Sequence, residues 1–193
     1  MNWLAHLYLA EDTPHAWIGN LVGDFARGLD PETLHPLVRS GLDHHRAVDR
    51  FTDAHPLHRA SRARYAKHFR HFAGVLVDLT YDHFLARAWE RWSSEPLEHF
   101  AARVHRVLAD HEPLLSPELR EAAPHLQRQQ WLLSYRDDAG LERVLRGIES
   151  RTRHRMELVP ALEILSAERA ALQAEFDAFF PALVIAQKRC QAP

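Results

Sequence analysis

The feature that most constrains this fold is a set of apolar segments whose strongly polar residues recur at a spacing of four. The first segment is apolar except for Asn2 and His6, and the second is apolar except for Asn20 and Asp24. In an α-helix, residues four apart lie on one face, one turn above the other. The pattern therefore predicts core helices that each present a polar stripe to a neighbour.

Two further segments repeat this pattern with ionisable residues. One contains Asp78 and Asp82, and the other places His45, Asp49 and Asp53 on one stripe. An unpaired carboxylate inside a protein costs several kcal/mol, and two neighbouring carboxylates also repel each other. A divalent cation, or a close pair of cations, would satisfy such a cluster. Imidazole with carboxylate suits manganese, iron or zinc, and oxygen-rich versions favour Mn²⁺ or Mg²⁺.

Each of these residues also has an interpretation that requires no metal. A capping or ion-pair role would serve Asp24, and pairing with nearby arginines would serve Asp49 and Asp53. His6 would then be a core histidine that donates to a backbone carbonyl. His83, next to Asp82 in the sequence, has an alternative of another kind, in which it orients a metal ligand and does not bind the ion itself.

Helical periodicity predicts an all-α fold with a single domain over residues 1–193. Strand signals are weak, because no alternating apolar stretch is bounded by hairpin turns. Proline or glycine falls at most of the predicted helix edges. The predicted helices cover residues 2–10, 15–27, 32–51, 57–71, 74–93, 96–111, 117–136, 138–156 and 159–188.

The composition argues against several classes of protein. A net charge of −2 gives no general attraction to nucleic acid, and no apolar stretch reaches the roughly 20 residues that cross a bilayer. The N-terminal residues lack the pattern of a signal peptide. Cys190 is the single cysteine, so no disulfide can form within the chain and a cytoplasmic location is expected. Fifteen histidines favour a metal or phosphate site.

Four motifs resemble those of the acyl carrier protein phosphodiesterase family. They cover residues 1–10, 19–25, 44–56 and 77–86, in the same order along the chain. Beyond about residue 90, the resemblance is limited to a helical pattern of the right length. It implies a helical bundle distantly similar to the HD-domain phosphohydrolases, in which histidines and aspartates from several helices hold divalent metal.

The resemblance also implies a reaction and a metal site. The reaction is hydrolysis of the phosphodiester that joins 4′-phosphopantetheine to a serine of holo-acyl carrier protein. The favoured ion is Mn²⁺, with Mg²⁺, Fe²⁺ or Co²⁺ as alternatives. The metal ligands implied are Asp24, His45, Asp49, Asp78, Asp82 and His83, together with His6. The order of these residues along the chain differs from the usual H…HD…D signature.

Three consecutive residues are candidates for a direct catalytic role. The serine alkoxide is a poor leaving group, so a general acid is expected, and His44 or His45 can donate a proton near neutral pH. Arg46 can hold the phosphate through paired N–H groups.

A stretch without acidic residues, 54–77, is the expected docking surface for the carrier protein, which the resemblance implies to be strongly acidic. A second basic group, Arg151, Arg153 and Arg155, is expected to assist. Without such a partner, the stretch would be a solvated helix face. Its five cationic side chains are Arg59, Arg62, Arg64, Lys67 and Arg70.

Three other functions fit parts of the sequence less well. An HD-type phosphohydrolase acting on a nucleotide or another small phosphoester would use the same metal residues. A non-catalytic carrier-binding protein would keep several acids inside apolar helices with no ion to hold. A haem protein would use the histidines but leave the carboxylate pairs unexplained.

Overall fold

The computed structural model describes residues 1–26, 28–151 and 156–191, without the side chains of residues 151 and 189–191. Within these ranges the regular structure is helical, and no strand occurs. The all-α class is therefore confirmed. The α-helices are α1 (Trp3–Leu9), α2 (Pro14–Val22), α3 (Pro36–Ala54), α4 (Pro56–Phe69), α5 (Ala73–Arg87), α6 (Leu97–Asp110), α7 (Pro117–Arg128), α8 (Trp131–Ser134), α9 (Asp138–Arg151) and α10 (Ala161–Gln191).

Proline at the first helical position begins four of these helices, where its missing N–H is not needed. The preceding residue supplies the N-cap in each case. Thr13 and Ser116 accept from backbone N–H groups of α2 and α7 through their hydroxyls. His35 and His55 accept through their imidazoles at the starts of α3 and α4. This local chemistry explains why the helix starts were recognisable in the sequence.

Several predicted helices differ from the structure; the helix predicted over 74–93, for example, ends at Arg87. The helix predicted over 117–136 is broken, because Gln130 has a left-handed backbone with φ of 45° and separates α7 from α8. The helix predicted over 15–27 ends at Val22, and a 3₁₀ turn over Gly23–Phe25 follows it. Asp24 therefore lies in this turn and not on α2.

The hydrophobic core is built around α5, in which residues 76–77 and 79–86 are all buried. The middle of α10 adds the fully buried rings of Phe176, Phe179 and Phe180. Although α10 is the longest helix, no helix in the described ranges is apolar enough over sufficient length to span a membrane.

The helices α2 and α3 cross in direct backbone contact. A Cβ added at Gly19 would lie 2.7 Å from Gly41 Cα and would overlap the carbonyl of Val38. Only glycine permits such a close approach. The crossing fixes α3 against the N-terminal helices and so positions the histidines and acids of α3.

Candidate metal centre

Three side chains from α1 and α3 converge on a single point. His6 Nε2 lies 3.1 Å from Asp49 Oδ1, and His45 Nε2 lies 3.1 Å from Asp49 Oδ2. One potential ligand atom from each residue falls within 4.8 Å of the other two. Of the residues that the structure describes, these three form the group of histidines and acids that could hold a metal ion. We call His6, His45 and Asp49 the triad.

The two imidazoles of the triad are stacked, with ring centroids 4.0 Å apart and planes inclined by 16°. A Cβ at Gly23 would overlap the ring of His45, so the glycine of the 3₁₀ turn makes room for this histidine. The Nδ1 atoms of His6 and His45 are buried and have no hydrogen-bond partner within the described chain. Two stacked rings with unpaired nitrogens form a costly arrangement for an apolar core.

The protonation of the triad follows from burial and mutual contact. Burial opposes ionisation of Asp49, but hydrogen bonds from His45 and His6 hold the pKa of this carboxyl well below its usual range. Burial lowers the pKa of His6 to about 4, although its hydrogen bond to Asp49 acts in the opposite direction. At neutral pH the triad therefore presents a carboxylate beside a neutral imidazole, which is the state that a metal requires.

Asp78 lies beside the triad and has two cationic or hydrogen-bonding partners. The Met1 amino nitrogen lies 3.2 Å from Asp78 Oδ1 and 3.6 Å from Asp49 Oδ1. His58 Nε2 donates to Asp78 Oδ1 at 2.9 Å. Burial opposes ionisation of Asp78, but the Met1 ammonium and His58 lower its pKa overall. Burial likewise opposes protonation of the Met1 amine, yet Asp78 and Asp49 raise its pKa to about 10.

Asp24 is also next to the triad, in the 3₁₀ turn that contacts His45. Its carboxylate accepts a hydrogen bond from the indole N–H of Trp3. Arg27, which follows Asp24 closely in the sequence, lies outside the described residues, so the ion-pair role considered for Asp24 stays a prediction.

Asp82 has a different environment from the other acids. Its Oδ2 accepts the N–H of Leu4 at 2.7 Å, and its Oδ1 accepts the N–H of Ala5 at 3.2 Å. Asn2 supplies no side-chain cap to α1, so Asp82 satisfies these two N–H groups instead. Burial raises the pKa of Asp82 to about 8, in spite of these bonds. The structure does not bring Asp82 into the triad.

His83 lies on the side of α5 away from the triad. Its Nδ1–H donates to the Tyr135 carbonyl at 2.8 Å, and its Nε2 accepts from Arg169 at 3.2 Å. Burial lowers the pKa of His83, which agrees with this neutral tautomer. Both ring nitrogens are used in joining α5 to α8 and α10, so the structure separates His83 from the triad.

The candidate catalytic residues next to His45 point in different directions. His44 Nδ1 lies 3.1 Å from Asn20 Oδ1, at the contact of α2 and α3. Burial lowers the pKa of His44, and the neighbouring His45 lowers it further. Arg46 is exposed and pairs with Asp43 at 3.3 Å.

Sequence reasoning missed two contributors to this site, His58 and the Met1 amine. His58 is buried on the inner stripe of α4, with Ser61, Tyr65 and Phe69. Helical spacing of 58, 61, 65 and 69 could have identified this stripe. The basic residues between these positions concealed it. The position of the Met1 amine could not be inferred, because it depends on how α1 packs against α3 and α5.

Four of the five basic residues assigned to docking are exposed: Arg59, Arg62 and Lys67 on α4, and Arg70 directly after it. Arg64 is different, because it pairs with Glu168 at 2.7 Å and with Glu175 at 2.6 Å on α10. Arg64 therefore joins α4 to α10, and it presents less charge to solvent than the other four basic residues do. Arg151, Arg153 and Arg155 lie outside the residues whose side chains are described.

Comparison with known proteins places the chain in a family. The sequence model of the family described as acyl carrier protein phosphodiesterase matches residues 1–183. The chain belongs to this family. It is 34% identical over 190 residues to the acyl carrier protein phosphodiesterase of Escherichia coli O157:H7, with 98% of each chain covered. It is also 34% identical over 185 residues to that of Shigella boydii serotype 18, with 95% of this chain and 96% of the relative covered.

Membership of this phosphodiesterase family confirms the resemblance that the four motifs indicated. The match also extends across the helices after residue 90, where the motifs were weak. No solved structure matches the chain. The distant similarity to HD-domain phosphohydrolases stays a prediction, as does the organisation into a single domain.

Proposed function

We propose that this protein hydrolyses the phosphodiester of holo-acyl carrier protein and releases 4′-phosphopantetheine. The observation that carries this proposal is the triad of His6, His45 and Asp49 inside a chain of the acyl carrier protein phosphodiesterase family. Two buried imidazoles that face one half-exposed carboxylate form a ligand set that suits a divalent ion. A single cysteine at position 190 supports a reducing, cytoplasmic setting.

The residues of the triad fit a divalent ion, and Mn²⁺ is the ion that the family resemblance favours. An ion between the imidazoles and the carboxylate would bind the nitrogens that now donate to Asp49, and nearby Asp24 and Asp78 could contribute oxygens. When bound, such an ion activates a water molecule for attack on phosphorus and offsets the negative charge that builds on the phosphate oxygens.

The neighbouring residues have separate roles in this proposal. His45 faces Asp49, so His44 is the better general acid for the serine oxygen. Its Nδ1–H donates to Asn20 Oδ1, which fixes the orientation of the ring. Burial and the neighbouring His45 lower the pKa of His44, so a smaller fraction of the rings is protonated at neutral pH, although each protonated ring is a stronger acid. The ammonium of Met1 orients Asp49 and Asp78 through contacts of 3.6 and 3.2 Å.

The exposed basic face of α4 is the proposed docking surface for the carrier protein. Arg59, Arg62 and Lys67 are exposed there, Arg70 is exposed directly after the helix, and no acidic residue occurs between residues 54 and 77. His58, on the buried stripe of the same helix, contacts Asp78. A partner held on α4 is therefore close to the triad. Attraction between such a basic surface and an acidic partner accelerates association, and salt weakens this attraction.

Intact-mass measurement of holo-carrier protein tests this function. With the enzyme and Mn²⁺, the carrier should lose the mass of its prosthetic group, and a chelator should prevent the loss. A carrier of unchanged mass would contradict the proposal. Phosphate release from nucleotides would then support the small-phosphoester alternative, and binding without cleavage would support a non-catalytic carrier-binding protein.

A further inference from the structure

A cleft between α2 and α3 lies on the flank of their crossing. It has a volume of about 700 Å³, and its wall includes Ala16, Asn20, Gly41 and His44. We call it the α2–α3 cleft. This volume is within the roughly 300–1,000 Å³ typical of small-ligand pockets. The cleft and the triad share their supporting elements, because His44 is followed by His45 and Asn20 is one helical turn before Asp24.

One buried side chain in this cleft has an unused polar atom. Gln187 of α10 lines the cleft, is 3% exposed, and its Oε1 has no hydrogen-bond partner among the described residues. A buried amide oxygen without a donor is costly, and such atoms call for a specific explanation. A ligand with an N–H group would supply the missing donor.

The remaining wall indicates the chemistry of that ligand. Thr13 and Ser40 offer hydroxyls, whereas Leu37 and Ala47 offer apolar contact, with Leu37 being 57% exposed. This mixture suits a chain that alternates amides with aliphatic groups.

Charge at the cleft argues against a phosphate inside it. The lining includes the exposed acids Glu11 and Asp43, and it contains no arginine or lysine. The wall has two acids and two histidines but no permanent cation, so a phosphate would find no arginine or lysine partner there, whereas a neutral chain needs none. A ligand with a phosphate at one end would therefore enter with its neutral part only.

We infer that the α2–α3 cleft binds the neutral pantetheine part of the substrate, while its phosphate lies at the triad. This inference rests on the proposed function and adds the position of the arm. Pantetheine contains two amides and a geminal dimethyl group, which match the Gln187 acceptor and the apolar contacts of Leu37 and Ala47. His44, at the edge of the cleft, is then next to the bond that breaks.

Steady-state kinetics with holo-carrier protein tests the inference in two variants. Gln187→Met keeps the volume but removes the acceptor, and Ala47→Phe fills the cleft. Gln187→Met should raise KM by roughly 3–10-fold, the value of one lost hydrogen bond, and Ala47→Phe should raise KM at least as much because it blocks the cleft, with kcat little changed in both. Inhibition by 4′-phosphopantetheine should weaken by the same factor. Ala102→Phe, at an exposed position on α6, is the matched control and should behave as the wild type.

Unchanged KM and unchanged inhibition in Gln187→Met would overturn the inference, even if Ala47→Phe failed to fold. A separate NMR titration with phosphate-free pantetheine distinguishes this failure from failure of the proposed function. Shifts of α2 and α3 signals in the wild type, reduced in Gln187→Met, are expected whether or not the enzyme is active. If the enzyme is active but shows no such shifts, the proposed function is retained and the proposal that the α2–α3 cleft binds pantetheine is contradicted.

Discussion

Asp49 is the residue on which the metal centre depends, because both triad imidazoles donate to its two oxygens. Asp49→Asn should reduce kcat by at least about 100-fold, since even residues behind a metal ligand account for 10–100-fold. Elemental analysis should show loss of bound manganese. Asp53→Asn, one turn later on α3 and exposed, is the matched control. Equal metal content in the two variants would contradict the assignment of Asp49.

Asp82 makes the stability of the fold depend on pH. Its pKa is about 8 in the folded chain against 3.8 without the fold, so the folded state holds an extra proton between these values. The contribution of Asp82 is therefore complete below pH 3.8 and is lost as pH rises to about 8. The free energy of unfolding should fall over this range less steeply in Asp82→Asn than in the wild type. Denaturant titrations at pH 5 and pH 8.5 measure the difference, and parallel pH profiles would refute it.

The same aspartate caps α1, which gives a second prediction. Asp82→Ala leaves the N–H groups of Leu4 and Ala5 without an acceptor. The variant should lose about 2 kcal/mol of unfolding free energy. Chemical denaturation at pH 5 measures this loss, with Asp82→Asn as the control because it keeps one carbonyl acceptor. A loss as small in Asp82→Ala as in Asp82→Asn would show that the cap contributes little.

Individual residues were predictable from sequence only as members of polar stripes. The spacing of four identified His6, Asp24, His45, Asp49 and Asp78, all of which lie in or beside the triad. It also selected Asp82, because a carboxylate that caps a neighbouring helix has the same sequence pattern as one facing a metal. Only the packing of α1 against α5 separates the two cases.

At the scale of the elements, the glycine contact between α2 and α3 holds the site together. Gly19→Ala should force the helices apart, since its Cβ would lie 2.7 Å from Gly41 Cα. Overpacking of this kind costs about 1–3 kcal/mol, which corresponds to a fall in Tm of roughly 2–12 °C. Manganese affinity should fall with it.

Gly147→Ala on α9 is the control for this prediction. An added Cβ there meets no atom of the described chain within 4 Å, and alanine favours a helix. Its Tm should stay the same or increase. If both variants had the same Tm, the crossing would not be the constraint inferred from the geometry.

Helix starts were predictable because proline and capping residues act locally, as at Thr13, His35, His55 and Ser116. The break at Gln130 was not, because glutamine rarely adopts a positive φ and gives no sequence signal for one. Tertiary packing between α7 and α8 overrides the local preference at this position.

At the scale of the whole molecule, the charge on α4 should govern association with the carrier protein. Reversal of Arg59, Arg62 and Lys67 to glutamate should raise KM by about tenfold or more at low salt, with kcat unchanged, because exposed charges mainly affect encounter. The difference should shrink as salt is added. Steady-state kinetics over a range of ionic strength measures both effects.

Reversal of the exposed residues Arg106, Arg128 and Arg143 gives a control with the same change in net charge. If the control raised KM equally, net charge and not the α4 face would be responsible.

Anomalous scattering from crystals grown with Mn²⁺ tests the metal centre most directly. The account predicts a manganese peak between the Nε2 atoms of His6 and His45 and the carboxylate of Asp49. Manganese bound elsewhere, with these imidazoles still donating to Asp49, would contradict it.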